Sequence, residues 1–201
     1  MHLPIQEHFS DFGYVLLAPG QQPNGATTTF PEEWEHRYFE HRFHEIDPVF
    51  DFARSNHRQS AASILTDDQM ATPLFEEARL FGADSNFLCV SNLGGNTMVF
   101  GGVNHHLGEE HVSEARKLCQ ATHRLDLMRR LSNLTDPQID VMEMAEEGML
   151  DKEIASDLGV TISAVNQRKQ AICKQVGTSS FKVTLGLYSL WKWGGIAAKY
   201  Y

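Results

Sequence analysis

The stretch "LTDPQIDVMEMAEEGMLDKEIASDLGVTISAVNQRKQAI" (residues 134–172) carries the start and stop signals of three consecutive helices. Thr135 and Gln138 have the spacing of a capping box at the start of the first helix. Every later helix start has a residue able to cap it, and each helix end is followed by a glycine. These further signals are Gly148, Asp151, Gly159, Thr161 and Gly177. A fourth helix is predicted over residues 179–193, so the end of the chain reads as a compact helical unit.

Charge is distributed unevenly along this unit. The whole chain has a formal net charge of -9, which excludes a uniformly basic nucleic-acid binder. Residues 160–201, however, contain six Lys or Arg and no Asp or Glu, whereas residues 134–159 contain eight acidic residues and only Lys152. We therefore expect the acidic residues to lie on the side of the unit away from any nucleic acid.

A short helix, a glycine turn and a polar, basic helix follow the logic of a helix-turn-helix. Amide side chains can pair with adenine, arginine with guanine, and lysine suits phosphate. The predicted DNA-binding residues are Thr161, Asn166, Gln167, Arg168, Lys169, Gln170 and Lys182. On the pattern alone, a plain helical bundle with a solvated basic face remains an alternative.

The same stretch resembles the four-helix DNA-binding domain of LuxR-type regulators. The resemblance is carried by a Leu-Thr start, a glycine after the first helix, a Glu-Ile-Ala sequence, a Leu-Gly-Val turn and a later valine. The matching residues are Leu134, Thr135, Gly148, Glu153, Ile154, Ala155, Leu158, Gly159, Val160 and Val165. The resemblance implies a helix-turn-helix DNA-binding domain over residues 134–201.

The first 130 residues alternate strand-like and helix-like segments. Strands are predicted at 12–20, 86–91 and 97–103, with a loop at 21–29 and a hairpin joining the last two strands. Helices are predicted at 31–46, from Pro73 onward, and at 109–131. These segments favour a sheet with helices packed on it.

Residues 31–50, "PEEWEHRYFEHRFHEIDPVF", combine three histidines with aromatic residues and an Asp-Pro step. On a helical wheel, His36 and His44 fall with Glu40 on a polar face, opposite an apolar half that includes Trp34 and Tyr38. A metal pair formed by His44 and Asp47 is an alternative, but two ligands do not make a zinc site. We therefore expect neither a metal ion nor a catalytic cluster here.

A Trp-x3-Tyr pair followed by Asp-Pro thirteen residues after the Trp resembles the acyl-homoserine-lactone domain of LuxR-type regulators. The resemblance implies that Trp34 donates to the lactone carbonyl, that Asp47 accepts the ligand amide N–H, and that Tyr38 lines the pocket. Phe30 takes the place of a family tyrosine whose hydroxyl meets the acyl carbonyl. We assign these four residues to the ligand site.

Three positions depart from the family pattern. Phe30 cannot donate a hydrogen bond, no tryptophan follows Asp47 before Trp191, and Asn86 stands where a glycine is usual. We therefore expect lactone binding to be weak or absent. Because empty apolar pockets are costly, we also expect aromatic side chains to fill this one. The nearest candidates are Phe30, Phe39, Phe50 and Phe52.

The predicted fold class is α+β: an N-terminal α/β/α sandwich sensor domain with an antiparallel sheet (residues 1–130), then a C-terminal four-helix helix-turn-helix domain (residues 134–201). The predicted function is a DNA-binding transcription regulator of the quorum-sensing LuxR type that acts as a homodimer, with residues 109–131 as its interface. An anti-activator or adaptor that heterodimerises with a true LuxR-type regulator is the alternative.

Other classes of function lack support in the sequence. The chain has no GxSxG, HExxH or phosphate-loop motif, so no enzyme and no catalytic residue is predicted. No cofactor is expected beyond an acyl-homoserine lactone or another small hydrophobic ligand. The three separated cysteines and the lack of a signal peptide predict a cytoplasmic protein. No membrane is expected among its partners, because the chain lacks a membrane-spanning run. The helix-turn-helix predicts double-stranded DNA as a partner.

Overall fold

The structure is a computed structural model that describes residues 4–17, 26–57, 59–93 and 95–194. By the density of internal contacts the chain divides into two compact units. The first comprises the described residues up to His123, except Gly95 and Asn96, which group with Arg124 and all later residues in the second unit. The functional assignment of the two predicted domains remains a prediction.

A five-stranded sheet forms the middle of the first unit. Its strands run in the order β2-β1-β5-β4-β3, and the pairings of β1 with β2, of β1 with β5 and of β3 with β4 are antiparallel. The strands are β1 (Asp11–Leu17), β2 (Ala26–Thr28), β3 (Ala61–Ile64), β4 (Phe87–Leu93) and β5 (Asn96–Val103). The predicted mixture of helices with an antiparallel sheet is confirmed. Residues 18–25, which cover part of the predicted strand and loop, lie outside the described ranges.

Five helices accompany this sheet in chain order, the last of them continuing into the second unit. They are α1 (Glu32–Glu40), α2 (Pro48–Ser55), α3 (Asp67–Met70), α4 (Pro73–Arg79) and α5 (Val112–Ser132). Short 3₁₀ helices occur at Pro4–Glu7, Phe43–Glu45 and Glu109–His111. The helices predicted from Pro73 and over 109–131 are confirmed, whereas β2, β3, α2 and α3 were not predicted.

The two faces of the sheet bury different side chains because neighbouring strand residues point to opposite sides. In β4, Leu88 and Val90 belong to a cluster with Trp34 of α1, while Phe87 and Cys89 belong to a cluster that includes Cys119 of α5. The sheet of the first unit is therefore covered on both faces, which is the layered arrangement that the sequence predicted.

The helix predicted at 31–46 is shorter than expected. It ends at Glu40 because Arg42 adopts a left-handed conformation, with φ of 54°, and a 3₁₀ turn follows. The wheel beyond Glu40 is therefore wrong: Ile46, expected on the apolar half, is 56% exposed. Asp47 then caps a new helix, α2, with Pro48 at its first position.

Four helices make up most of the second unit, and their starts agree with the sequence. They are α6 (Asp136–Glu146), α7 (Asp151–Asp157), α8 (Ile162–Val176) and α9 (Phe181–Lys192). The Thr135 amide donates to Gln138 Oε1 at 2.9 Å, which is half of the expected capping box, and Thr161 Oγ1 accepts from the Ala164 amide at 3.1 Å. Asp151 is the first residue of α7 rather than its cap. The first three of these helices, α6 to α8, are followed by glycines of positive φ, namely Gly148, Gly159 and Gly177.

Buried apolar residues from all four helices form the core of this unit. On α8, Val165, Ile172 and Val176 are fully buried as predicted. Ile162 was expected to join them but is 50% exposed, because it lies in the first turn of the helix. Charged side chains join α6 to α9, since the Lys192 ammonium lies 3.2 Å from Glu143 and 3.1 Å from Glu146.

Candidate ligand-binding cavity

A cavity of about 610 Å³ lies within the first unit, on the sheet face that carries Leu88 and Val99. That volume is within the range of pockets that bind small molecules. Most of the wall is apolar or aromatic, with a few polar side chains. All four residues predicted for the ligand site line it: Phe30, Trp34, Tyr38 and Asp47.

Asp47 is held in place by two donors. Its Oδ1 accepts the Val49 amide at 2.9 Å, the usual bond of a helix N-cap, and its Oδ2 accepts the Tyr38 hydroxyl at 2.8 Å. The Asp-Pro step explains this geometry, because Asp caps the helix that Pro48 begins. Tyr38 lies on α1, so the bond connects two helices across the cavity wall.

Burial controls the ionisation of this pair. It raises the pKa of the Asp47 carboxyl above its ordinary value, and the hydrogen bonds from Val49 and Tyr38 oppose that shift. The pKa of the Tyr38 hydroxyl is raised as well, by burial first and then by the neighbouring Asp47 charge and hydrogen bond. Tyr38 therefore remains a neutral donor, and the carboxyl is costly to keep charged unless further donors reach it.

Trp34 forms a rigid part of the same wall. It is 5% exposed, and its ring centroid lies 5.8 Å from that of Tyr38 and 5.9 Å from that of Phe43. Within the described ranges, the Trp34 indole N–H donates no hydrogen bond, although the residue lines the cavity. The cavity wall thus combines a buried donor with a buried acceptor.

The aromatic residues line the cavity and do not fill it, contrary to the expectation from the sequence. Phe30, Phe39 and Phe50 are wall residues, whereas Phe52 packs against the same apolar cluster without lining the space. Phe39 is 62% exposed, although the wheel placed it on the apolar half. The residues that were expected to replace a ligand instead leave room for one.

Several lining residues were not found from the sequence. His44 was assigned to the solvated face, but the break at Arg42 redirects the chain and His44 contributes to the wall while remaining exposed. The other polar or charged lining residues outside the prediction are Thr28, Glu35, Arg54 and Ser85. No local pattern marks them, because each comes from a different segment. Asn86 stands where the family usually has a glycine. Its side-chain amide connects two parts of the chain by donating to the Asn104 carbonyl at 2.8 Å.

The raised pKa of Asp47 predicts a pH-dependent stability difference between the wild type and Asp47→Asn. In the folded chain the carboxyl holds its proton more tightly than in the unfolded chain, where its pKa is near 3.8. Stabilisation by the protonated form is therefore complete below pH 3.8 and is lost as the pH rises through the raised pKa. The free energy of unfolding of the wild type, minus that of Asp47→Asn, should fall over this range. Urea unfolding at a series of pH values measures it, and a difference that is constant or rises would contradict the assignment.

The residues predicted to contact DNA lie on or beside α8. Asn166, Gln167 and Gln170 are exposed, as expected for an outward face, and so are Thr161 at the start of α8 and Lys182 on α9. Arg168 is half-buried. The Lys169 ammonium contacts the Asp151 carboxylate and lies 4.5 Å from the centroid of the Phe181 ring. Lys169 is thus occupied by contacts inside the unit.

Across the described residues, no group of three or more His, Cys, Asp or Glu side chains is placed to hold a metal ion. Cys89, Cys119 and Cys173 are buried and free of disulfides. In the same ranges, no helix is both long and apolar enough to cross a membrane.

The cavity lies in the part of the chain that matches a known protein family. A family model described as the autoinducer binding domain matches residues 8–135, which include every residue that lines the cavity. The chain belongs to the autoinducer-binding domain family. This confirms the predicted relationship to LuxR-type quorum-sensing proteins. The homologous families are regulators and not enzymes.

Three similar solved structures come from two bacterial proteins. Escherichia coli SdiA is 19% identical with a TM-score of 0.46, covering 92% of this chain and 85% of that one. SdiA in complex with octanoyl-rac-glycerol gives the same identity and TM-score over 92% and 83%. The acyl-homoserine-lactone-dependent LuxR family factor CepR2 of Burkholderia cenocepacia is 21% identical with a TM-score of 0.42, over 58% and 71%. No match to a curated protein is found.

Proposed function

We propose that this autoinducer-binding chain is a LuxR-type transcription regulator that senses a small hydrophobic ligand. The observation that carries the proposal is the cavity of about 610 Å³ with Trp34, Tyr38 and Asp47 in its wall. A ligand carbonyl needs a donor and a ligand amide N–H needs an acceptor when both are taken out of water. The Trp34 indole and the Asp47 carboxylate supply that pair.

The ligand class follows from the balance of the wall. Acyl amides such as acyl-homoserine lactones combine an apolar chain with one amide and one lactone carbonyl, which fits an apolar cavity with few polar groups. Phe30 cannot donate to a second carbonyl, which costs about 1 kcal/mol or more for the acceptor left unpaired. Ordinary lactones should therefore bind more weakly than they would if a donor stood at residue 30.

Organic extraction of the purified protein, followed by mass spectrometry, tests this part of the proposal. A bound acyl amide is the expected result when the protein comes from cells that make one. Thermal unfolding with added acyl-homoserine lactones is the second measurement, because a ligand at 100 times its dissociation constant stabilises the native state by about 2.7 kcal/mol. An empty extract together with unshifted unfolding for every lactone would refute ligand sensing.

The second unit is proposed to bind double-stranded DNA, with α7 and α8 as a helix-turn-helix and a homodimer placing two copies of α8 on two half-sites. Exposed amides on one face of α8, with no acidic residue in that helix, support this. The α5 helix is proposed as the dimer interface, as the sequence predicted.

Substitutions on α8 should separate base reading from phosphate binding. Asn166→Ala or Gln170→Ala should reduce base discrimination by about 1–3 kcal/mol per lost bidentate pair. Arg168→Ala should weaken binding and lower its salt dependence by about one counterion. Fluorescence anisotropy with operator and scrambled DNA at several salt concentrations measures both. Unaltered binding in all three variants would show that α8 does not contact DNA.

One observation favours the alternative, an adaptor that pairs with another LuxR-type protein and binds no DNA itself. Lys169, one of the few cations on α8, is engaged by Asp151 and Phe181. This leaves fewer positive charges for phosphates in a chain whose net charge is already -9. A lack of any DNA binding at low salt, where electrostatic binding is strongest, would select the adaptor.

A further inference from the structure

Two glycines lie side by side in the wall of the cavity. Gly13 of β1 and Gly101 of β5 are partners in the antiparallel register, and both line the space. The next pair on the same face of the two strands is Val15 with Val99, which carries β-branched side chains. The wall therefore changes from branched side chains to none within two residues.

Packing inside the protein accounts for only one of these glycines. A Cβ on Gly13 would lie 3.2 Å from the Phe30 ring, so a side chain there would crowd Phe30. A Cβ on Gly101 would meet only Ser85, at 3.5 Å from its Oγ, which is ordinary van der Waals contact. Gly101 also has no positive φ. Neither the backbone nor the neighbouring side chains require glycine at residue 101.

Glycine within a strand is unfavourable, and it often marks a place where a ligand approaches the backbone closely. The Phe30 ring covers Gly13, the partner of Gly101, and the open position at Gly101 itself lies beside the Ser85 hydroxyl. The space is thus bounded by an aromatic ring, bare backbone and one polar group.

We propose that Gly101 selects for a ligand whose acyl group is branched or aromatic rather than linear. This inference rests on the proposed binding of an acyl amide in the cavity. A ring or branch would occupy the volume that a side chain at residue 101 would take, and it would pack against Phe30. Linear chains would leave that volume empty, which is unfavourable in a close-packed site.

The test uses the full chain and lactones of matched carbon number. Isovaleryl-homoserine lactone is compared with pentanoyl-homoserine lactone, and phenylacetyl-homoserine lactone with octanoyl-homoserine lactone, by isothermal titration calorimetry. The wild type should bind the branched and aromatic members about 4- to 15-fold more tightly, as expected for filling a cavity of one or two methyl groups. Gly101→Ala should reduce this preference and Gly101→Val should abolish it.

Stability measurements distinguish loss of the space from loss of the fold. Gly101→Ala should unfold at the same temperature as the wild type or higher, since its Cβ finds ordinary contacts. Gly186→Ala is the matched control, because a Cβ there, on α9, would meet nothing within 4 Å. That control should leave the ligand preference unchanged. Should Gly101→Val fail to fold, Gly101→Ala alone decides the question.

Each result bears on the inference. Equal or tighter binding of the linear lactones by the wild type would overturn it while leaving acyl-amide binding in place. A branched preference that survives in Gly101→Ala and Gly101→Val would overturn the role of Gly101. A wild type that binds none of these lactones would overturn this inference, and the extraction experiment would then decide separately whether ligand sensing stands.

Discussion

Replacing Asp47 by alanine should lower the free energy of unfolding by about 2 kcal/mol and should abolish ligand-induced stabilisation. Loss of an N-cap costs about 1 kcal/mol, and a buried hydroxyl left without its acceptor costs about 1–3 kcal/mol. Relief from burying a carboxylate offsets part of this sum. Both bonds are present in the structure, from Val49 to Oδ1 and from Tyr38 to Oδ2.

Two further variants divide the effect of Asp47→Ala. Asp47→Asn keeps an acceptor for the α2 cap, so it should lose less stability than alanine. Tyr38→Phe removes the hydroxyl and leaves the cap intact. Urea unfolding of the three variants, with and without lactone, gives the comparison. If Asp47→Ala retained the full ligand-dependent shift, Asp47 would have no part in recognition, and its role would be the helix cap alone.

Trp34→Ala should have the largest effect on stability, about 3–5 kcal/mol, because truncation of a buried Trp leaves a large hole next to an existing cavity. The side chain contacts Tyr38, Phe43 and Phe81 through ring pairs with centroids 5.8–5.9 Å apart. Such a loss is a large part of the stability of an ordinary domain. We expect the first unit to be largely unfolded near body temperature, as measured by thermal unfolding.

Trp34→Phe separates packing from hydrogen bonding. It retains an aromatic ring but lacks the indole N–H, so it should cost much less stability than alanine while weakening ligand binding. A calorimetric titration of Trp34→Phe with the tightest lactone measures this. Unchanged affinity in a folded variant would show that the indole N–H does not reach the ligand.

The sequence predicted some parts of this molecule far better than others, and the difference has a physical cause. Helices α6 and α8 begin at the capping residues Thr135 and Thr161, and α6 to α8 are each followed by a glycine, so their signals lie within a few residues of each other. The turn at Arg42 has no such signal, because a left-handed arginine is not encoded by its neighbours. The strand β3 has four half-buried residues and no alternation, so periodicity could not reveal it.

The candidate site divides in the same way. Phe30, Trp34, Tyr38 and Asp47 lie within eighteen residues, and they could be found because this short stretch resembles the family pattern. Gly101 and Ser85 reach the cavity only because β1, β5 and β4 pair in a particular order, which no short pattern specifies. Whether the aromatic residues fill or line the cavity depends on side-chain positions across several elements, and composition does not determine those.

The two oxygens of Asp47 determine how a bound ligand would affect the backbone at the start of α2. A carboxylate has about four lone-pair sites, so it can accept a ligand N–H beside those of Val49 and Tyr38 without releasing either. Ligand occupancy and the first turn of α2 then share one acceptor group and are thermodynamically linked. The exchange of the Val49 amide hydrogen with solvent deuterium becomes a local reporter of that linkage.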